Sequence, residues 1–307
     1  FIHSRNMSFT RYASYYGKDL RPSIALVTGG RSGIGKAIAE KIATFPFIDN
    51  VLVVSRSIQP EDVASNPKLV AVSADVASEE GRTTIIQHVE CFTNSKSKPL
   101  RFLVHSAGTI DPIKSILDVT AQELSQSMLV NVQGPILLST ALYPYMTDQT
   151  TAGRILHVSS GAAHGPPPIG WSIYGICKAS FYQAFKAMDR EFQHLGGTVR
   201  VGSFKPGVVD TDMQGVIRKA PKEAMPNVEF FHTMKEKVVT KSGPQQQGQP
   251  PPAGALDSPD NVAFFAEWLL LGTTDDEFAN TEDPNEYDVR DKNLFHKWID
   301  PENLPQQ

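Results

Sequence analysis

Apolar residues fall along the chain in short runs separated by longer amphipathic stretches. Ser23-Ile24-Ala25-Leu26-Val27-Thr28 is one such run, closed by glycines, and predicts a buried strand. Lys36 to Ala43 follows with helical composition and period. Val51 to Ser55 and Leu69 to Ser73 read as strands two and three, and Ser78 to Phe92 as an amphipathic helix. Arg101 to His105 predicts a fourth strand running into Ser106-Ala107-Gly108. Thr120, with Glu123 three residues on, has the spacing of a capping box and opens a long helix through Asn131 to Tyr145. Gly134-Pro135 interrupts that helix and predicts a kink. Ile155 to Ser160 is strand five. The loop Gly161 to Gly170 leads into a helix reaching about His194, and Thr198 to Phe204 is strand six, stopped by Pro206-Gly207. Strands alternating with helices at this spacing predict one α/β domain: a doubly wound parallel sheet with helices on both faces.

Beyond Asp212 the pattern weakens. Met213 to Thr240 reads as one or two short helices forming a flap. Lys241 to Gly254, with its glutamine and proline runs, lacks the apolar residues to order itself and reads as a disordered insertion. Ser258-Pro259 restarts a helix with an N-cap and an N1 proline. The expected organisation is an extension over 1–22, the domain over 23–300 and a tail over 301–307, with 1–6 read as an expression remnant ahead of Met7. No apolar segment follows Phe1 to Asn6, so a signal peptide is not expected.

Composition narrows the function classes. The 29 Lys and Arg nearly balance 33 Asp and Glu, which removes an electrostatic case for nucleic acid or an anionic membrane as partner. Cys91 and Cys177 give neither a disulfide framework nor zinc-ligand spacing. No apolar run approaches the ~20 residues of a membrane span. A reducing, cytoplasmic setting is the expectation.

The chemistry lies at predicted strand ends. Thr28-Gly29-Gly30-Arg31-Ser32-Gly33-Ile34-Gly35 turns from strand to helix, where glycines let the backbone approach a pyrophosphate and the helix N-terminus attracts it. This is a Rossmann-type dinucleotide signature. After strand two, where an NAD site carries an acid for the ribose 2′-OH, the chain has Ser55-Arg56; a guanidinium suits a 2′-phosphate, and Arg31 adds a second charge. NADP(H) is therefore the expected cofactor. Asp75 can accept from an adenine amine. Gly29, Arg56, Asp75, Gly108, Ser160 and Gly207 all follow strand ends, where ligands of such sheets bind. Tyr174 and Lys178 project from one helix face, and an ammonium beside a phenol favours the phenolate, bringing its pKa of ~10 toward the working range.

In combination these residues resemble the short-chain dehydrogenase/reductase family: Thr28 to Gly35, Asn131, Ser160, Tyr174-x-x-x-Lys178 and Pro206-Gly207 stand in the family's order. Gly170-Trp171 and Pro206 to Gln214 are similar to sepiapterin and benzil reductases. The resemblance implies reduction of a small-molecule carbonyl by NADPH. Tyr174 would be the acid, Ser160 a hydrogen-bond donor, Lys178 a ribose ligand and pKa tuner, and Asn131 the anchor of a relay water. It also implies cofactor contacts at Gly29, Arg31, Ser32, Gly33, Ile34, Arg56, Asp75 and Val76. Further contacts are implied at Ala107, Gly108, Pro206, Gly207, Val209 and Thr211. Substrate contacts would be Ser160, His164, Trp171, Met213 and Asp288, the last by accepting from a pterin edge. The family habit of pairing helices four and five implies a homodimer or homotetramer, with Leu137, Leu138, Phe181, Phe185 and Met188 as the paired surface. The family's Asn-Asn-Ala-Gly element is His105-Ser106-Ala107-Gly108 here, and Ser32 stands where a basic residue is common. Two alternatives stay open: a 3-ketoacyl, sugar or aldehyde reductase, and an NADP(H)-binding sensor without turnover.

Overall fold

The computed structural model describes residues 21–96, 98–147, 152–241, 248–280 and 286–299. Strands β1 (Ser23–Thr28), β2 (Ile48–Ser55), β3 (Leu69–Ser73), β4 (Leu100–His105), β5 (Arg154–Val158), β6 (Arg200–Lys205) and β7 (Tyr287–Asp288) form one seven-stranded sheet in the order β3-β2-β1-β4-β5-β6-β7. Every pairing is parallel. The expected doubly wound sheet is thus present, with β7 as an addition at its edge.

Alternation along each strand builds two cores. Ala25, Val27, Val53, Val104, Leu156 and Phe204 face one side. There they meet α1 (Gly33–Ala43), α8 (Pro259–Leu271) and α10 (Phe295–Trp298). Ile24, Leu26, Leu52, Leu103, Ile155 and Val201 face the other side. That face is covered by α2 (Glu79–Lys96), α4 (Gly134–Leu142) and α5 (Ser172–His194). A smaller third cluster joins Trp171 and Tyr174 to Ile217, Met225, Val228 and Phe231. It packs α6 (Asp212–Arg218) and α7 (Val228–Lys241), the expected flap, against the start of α5.

The interrupted helix has a definite form. α3 (Ala121–Met128) opens with the expected reciprocal cap between Thr120 and Glu123. It then widens into a π turn, Leu129–Gln133, before α4. Pro135 has no N–H to donate to the Asn131 carbonyl four residues back, so the ladder must open there. Gly134 makes room: a Cβ on it would lie 2.6 Å from the Val76 carbonyl oxygen.

At the C-terminal side, Ser258 caps α8 by accepting from the Asn261 N–H at 3.1 Å, with Pro259 at N1. Arg154 ties β5 to the end of that helix, donating to the Leu269, Leu270 and Thr273 carbonyls and pairing with Asp275. Of the stretch read as a disordered insertion, 242–247 lie outside the described residues, as do 1–20 and 301–307. Lys241 ends α7, and Gln249 is held by Asn261 through main-chain bonds of 3.2 and 3.0 Å. An amide side chain thus supplies the partners that local hydrophobicity does not. Among the described residues no helix is long and apolar enough to cross a membrane.

Candidate active site

A continuous cleft runs along the C-terminal strand ends. One lobe, about 410 Å³, holds Val54, Arg56, Asp75, Val76 and Gly108. The larger lobe, about 690 Å³, reaches Ser160, Tyr174 and Lys178. Gly29, Ser55, Arg56, Ala107 and Gly108 border both.

The nucleotide end follows from backbone geometry. Gly29 has φ +69°, and a Cβ there would stand 2.7 Å from the Ala107 N and Cα. Only glycine lets the β1 turn press on the loop after β4. Thr28 fixes that loop, its hydroxyl accepting from the Ser106 and Ala107 N–H groups at 3.3 Å. Ser32 occupies the N-cap of α1 but makes no side-chain cap bond. The first-turn N–H groups therefore lack a capping side chain and suit an anionic ligand. Arg31, Ser32, Gly33 and Ile34 line the larger lobe, as do Pro206, Gly207, Val209 and Thr211. Arg31 is already committed, to Asp62 at 3.3 Å and Ser57 at 2.8 Å. Arg56 is exposed at the end of β2, and among the described residues no carboxylate reaches ion-pair distance of it. These features fit a nucleotide diphosphate, with Arg56 as the unspent positive charge at the adenosine end.

At the other end Ser160 follows β5 and turns its hydroxyl to Tyr174, while its oxygen accepts from the Ala162 N–H at 3.2 Å. Ser159 is buried, and its hydroxyl has no partner among the described residues. Ser160 is thus the hydroxyl brought to the tyrosine. Burial raises the Tyr174 pKa, with the Ser160 hydrogen bond opposing that rise. The expected lowering by Lys178 is corrected: its Nζ stands 5.8 Å from the phenol ring centre and donates to the Val158 carbonyl at 2.8 Å. Tyr174 accordingly keeps its proton at neutral pH. Burial pulls the Lys178 ammonium down to about 8, opposed first by Glu286. Cys177 is a packed residue, its thiol pushed up to about 11 by burial.

Three expected roles are redrawn. Asn131 does not border the cleft; both ends of its amide clamp Thr109, accepting from the N–H and donating to the carbonyl at 3.0 Å each. The π turn aims it at the loop beside Gly108, whose added Cβ would lie 3.0 Å from Asn131 Oδ1. His164 turns away from the cleft to Glu286, 2.8 Å from its Nε2. Asp288 is engaged with Lys205 at 3.4 Å and Arg290 at 3.2 Å. It borders no part of the cleft, whereas Arg290 does. Trp171 and Met213 line the larger lobe. Trp171 packs 5.4 Å from Phe231 and 5.9 Å from Tyr174, ring centre to ring centre.

Sequence reasoning missed Ile110, Ile217, Phe231 and Arg290, all in the cleft wall. Phe231 belongs to an apolar i, i+3 pattern with Val228 and Met234, a detectable helix signal without a destination. Nothing local marks Arg290.

The profile of the short chain dehydrogenase family matches residues 23–222, and the chain belongs to that family. It is therefore an oxidoreductase that interconverts CH–OH and C=O groups with a nicotinamide cofactor. Among curated relatives it is 27% identical over 266 residues to a benzil reductase ((S)-benzoin forming) of Bacillus subtilis, covering 87% of this chain and 98% of the relative. It is 32% identical to an uncharacterized oxidoreductase of Schizosaccharomyces pombe, covering 81% of this chain and 90% of that one. Among solved structures it is similar to the KRED1-Pglu enzyme, with TM-score 0.69, 26% identity, and coverage of 84% and 98% respectively.

Proposed function

We propose that the chain is an NADPH-dependent carbonyl reductase acting on apolar ketones and diketones of the benzil type. The observation that carries this reading is a buried, protonated Tyr174 hydrogen-bonded to Ser160, facing a cleft walled by Trp171, Phe231, Ile110 and Ile217. Such walls suit aromatic rings. Asp288, the carboxylate expected to accept from a pterin's donor edge, is spent on Lys205 and Arg290 and borders no part of the cleft. The diketone side of the sepiapterin and benzil pair is therefore favoured.

The bound cofactor supplies the hydride. As negative charge grows on the carbonyl oxygen, the Tyr174 hydroxyl gives it a proton and the Ser160 hydroxyl gives it a hydrogen bond. Tyr174 is buried and Ser160 half-buried at the cleft wall, so the proton donor has little solvent to shed as the reaction proceeds. Lys178 presents an ammonium at the cleft floor, placed to hold the nicotinamide ribose. Asn131 keeps the loop through Thr109 in place behind it. Arg56 takes the adenosine 2′-phosphate, and Asp75 the adenine.

A panel of benzil, sepiapterin and simple aldehydes, each with NADPH and with NADH, tests the reading. Oxidation of NADPH by benzil is the expected result. Cofactor binding without turnover of any carbonyl would instead support a sensor, and turnover of sepiapterin alone would restore the pterin assignment.

A further inference from the structure

A row of polar side chains crosses the sheet beneath α5, and the proposed chemistry does not use it. His105 on β4 is in register with His157 on β5, and His157 with Ser203 on β6. Phe204 pairs with Tyr287, which puts Glu286 beside Ser203. All four are buried among apolar residues. Phe181 of α5 covers the two imidazoles, its ring centre 4.1 Å from that of His157 and 6.0 Å from that of His105. A parallel sheet under a helix normally fills such a row with Val, Ile or Leu. Four polar residues in register call for a reason.

The bonds along the row can be followed atom by atom. Ser203 Oγ donates to Glu286 Oε1. His164, at the outer end with its side chain 28% exposed, bonds Glu286 Oε2 at 2.8 Å. With its only proton given to the carboxylate, Ser203 must accept from His157, whose Nδ1 stands 2.9 Å away. His105 bonds Ser139 at 2.8 Å instead. The carboxylate thus has both oxygens satisfied while its side chain is 0% exposed. A buried carboxylate is costly unless an opposite charge lies within reach.

Lys178 is that charge. Its ammonium is buried, donates to the Val158 carbonyl, and among the described residues has no carboxylate at ion-pair distance. Val158 pairs with Phe204 and Phe204 with Tyr287, so Lys178 and Glu286 stand about two strand spacings apart, on the order of 10 Å. The titratable and charged groups facing Lys178 are Tyr174 and Cys177 from its own helix, His157 and His105 from β5 and β4, and Glu286. Burial keeps the tyrosine and the thiol protonated. It holds both imidazoles neutral. Among the described residues that leaves the Glu286 carboxylate.

We propose that Glu286 is a positioning residue for this active site: fixed by Ser203 and His164, its carboxylate is the counter-charge that keeps Lys178 an ammonium. β4, β5 and β6 supply the two histidines and the serine, α5 supplies the lysine, and a segment more than a hundred residues beyond Lys178 supplies the charge. The role rests on the cofactor- and substrate-facing function proposed for Lys178. It also explains why His164, inside the loop that borders the site, turns its ring outward from the cleft.

Glu286→Gln keeps the shape and removes the charge. The alkaline limb of the kcat/KM profile with NADPH should move toward acid by about one pH unit, the size expected for a unit charge about 10 Å away at an effective dielectric of ~20. The pH at which NADPH affinity is lost, read by fluorescence titration without substrate, should move with it. Glu286→Asp should keep both midpoints near the wild type. A folded Glu286→Gln with both midpoints unmoved overturns the proposal. Denaturant midpoints of Lys178→Met, Glu286→Gln and the double variant give a reading independent of turnover: the double variant should lose less stability than the sum of the two. If Glu286→Gln alone does not fold, the double variant should, because the uncompensated ammonium is gone; additive losses, or a double variant that fails while Lys178→Met folds, overturn the proposal. If the wild type reduces no carbonyl, the proposed function falls, while the coupling between the two charges is still read from stability.

Discussion

Tyr174, Ser160 and Lys178 show how single side chains acquire chemistry from where they are buried. The phenol is desolvated and keeps its proton, the serine hydroxyl bonds it, and the ammonium is drawn down by burial. Tyr174→Phe removes the proton and leaves the ring packed on Trp171. NADPH should bind within about twofold of wild type while kcat falls at least ~100-fold, the usual worth of a positioned acid; stopped-flow turnover beside a binding titration checks it. Arg56 has a different logic, since it is exposed and available among the described residues. Arg56→Asp would place an anion against a 2′-phosphate. NADPH affinity should drop roughly 100-fold and NADH affinity far less, because a charge-assisted pair becomes a repulsion for only one of them. Equal losses for both cofactors in a fluorescence titration would remove the cofactor assignment.

At the scale of elements, the π turn between α3 and α4 connects the two lobes of the cleft. It aims Asn131 at Thr109, which borders both lobes, and it brings Gly134 against the carbonyl of Val76, which borders the smaller one. Gly134→Ala would drive a methyl to 2.6 Å from that oxygen and 2.9 Å from the Leu129 carbonyl. Backbone cannot yield as a side chain can. The variant should lose about 1–3 kcal/mol of stability, in the range of overpacked core sites, and bind NADPH more weakly. A urea titration with and without cofactor separates the two effects. An unchanged midpoint would mean that the turn yields more readily than its carbonyls suggest.

The whole molecule carries the cost of its buried polar row. Burial pushes His105 down to about 3 and His157 well below its ordinary value. Between that depressed range and the unfolded value of ~6.5, the unfolded chain binds protons that the folded chain refuses. Stability contributed by these two residues is therefore full above about pH 6.5 and drains away as the pH falls, by up to a few kcal/mol. His105→Asn should lose less stability than wild type between about pH 7 and about pH 4, measured by urea midpoints at both. A wild type and variant with parallel pH dependence would contradict the assignment. Assembly belongs to this scale as well. Leu138, Phe181, Phe185 and Met188, expected to pair between subunits, instead fill the core between α4, α5 and the sheet, leaving Leu137 40% exposed. Leu124 and Ile176 are the exposed large apolar residues on α3 and α5. We expect a homodimer or homotetramer joined through these three. Light scattering should show the oligomer in wild type and its dissociation in Leu137→Glu/Ile176→Glu. A monomeric wild type at micromolar concentration would exclude it.

The sequence by itself determined what depends on neighbours in the chain. Strand periodicity, the glycine turn after β1, the Thr120 cap and the four-residue spacing of Tyr174 and Lys178 are all local, and each predicted its element or its shared face. The strand ends followed, and with them the address of the cleft. Tertiary structure decided everything that depends on which distant segment arrives there. Leu138 and Phe181 read as one apolar helix face, but only packing shows that the face meets the sheet. Asp288 and Glu286 look alike within one acidic stretch; pairing of β7 with β6 turns the first toward Lys205 and buries the second beneath the active site. Charge and burial combine across strands some eighty residues apart in the chain, as from Ser203 to Glu286, and no window along the sequence contains both. The pKa of Tyr174 follows the same division: spacing sets its place relative to a lysine, while its burial comes from a cluster with the flap residues Ile217 and Phe231.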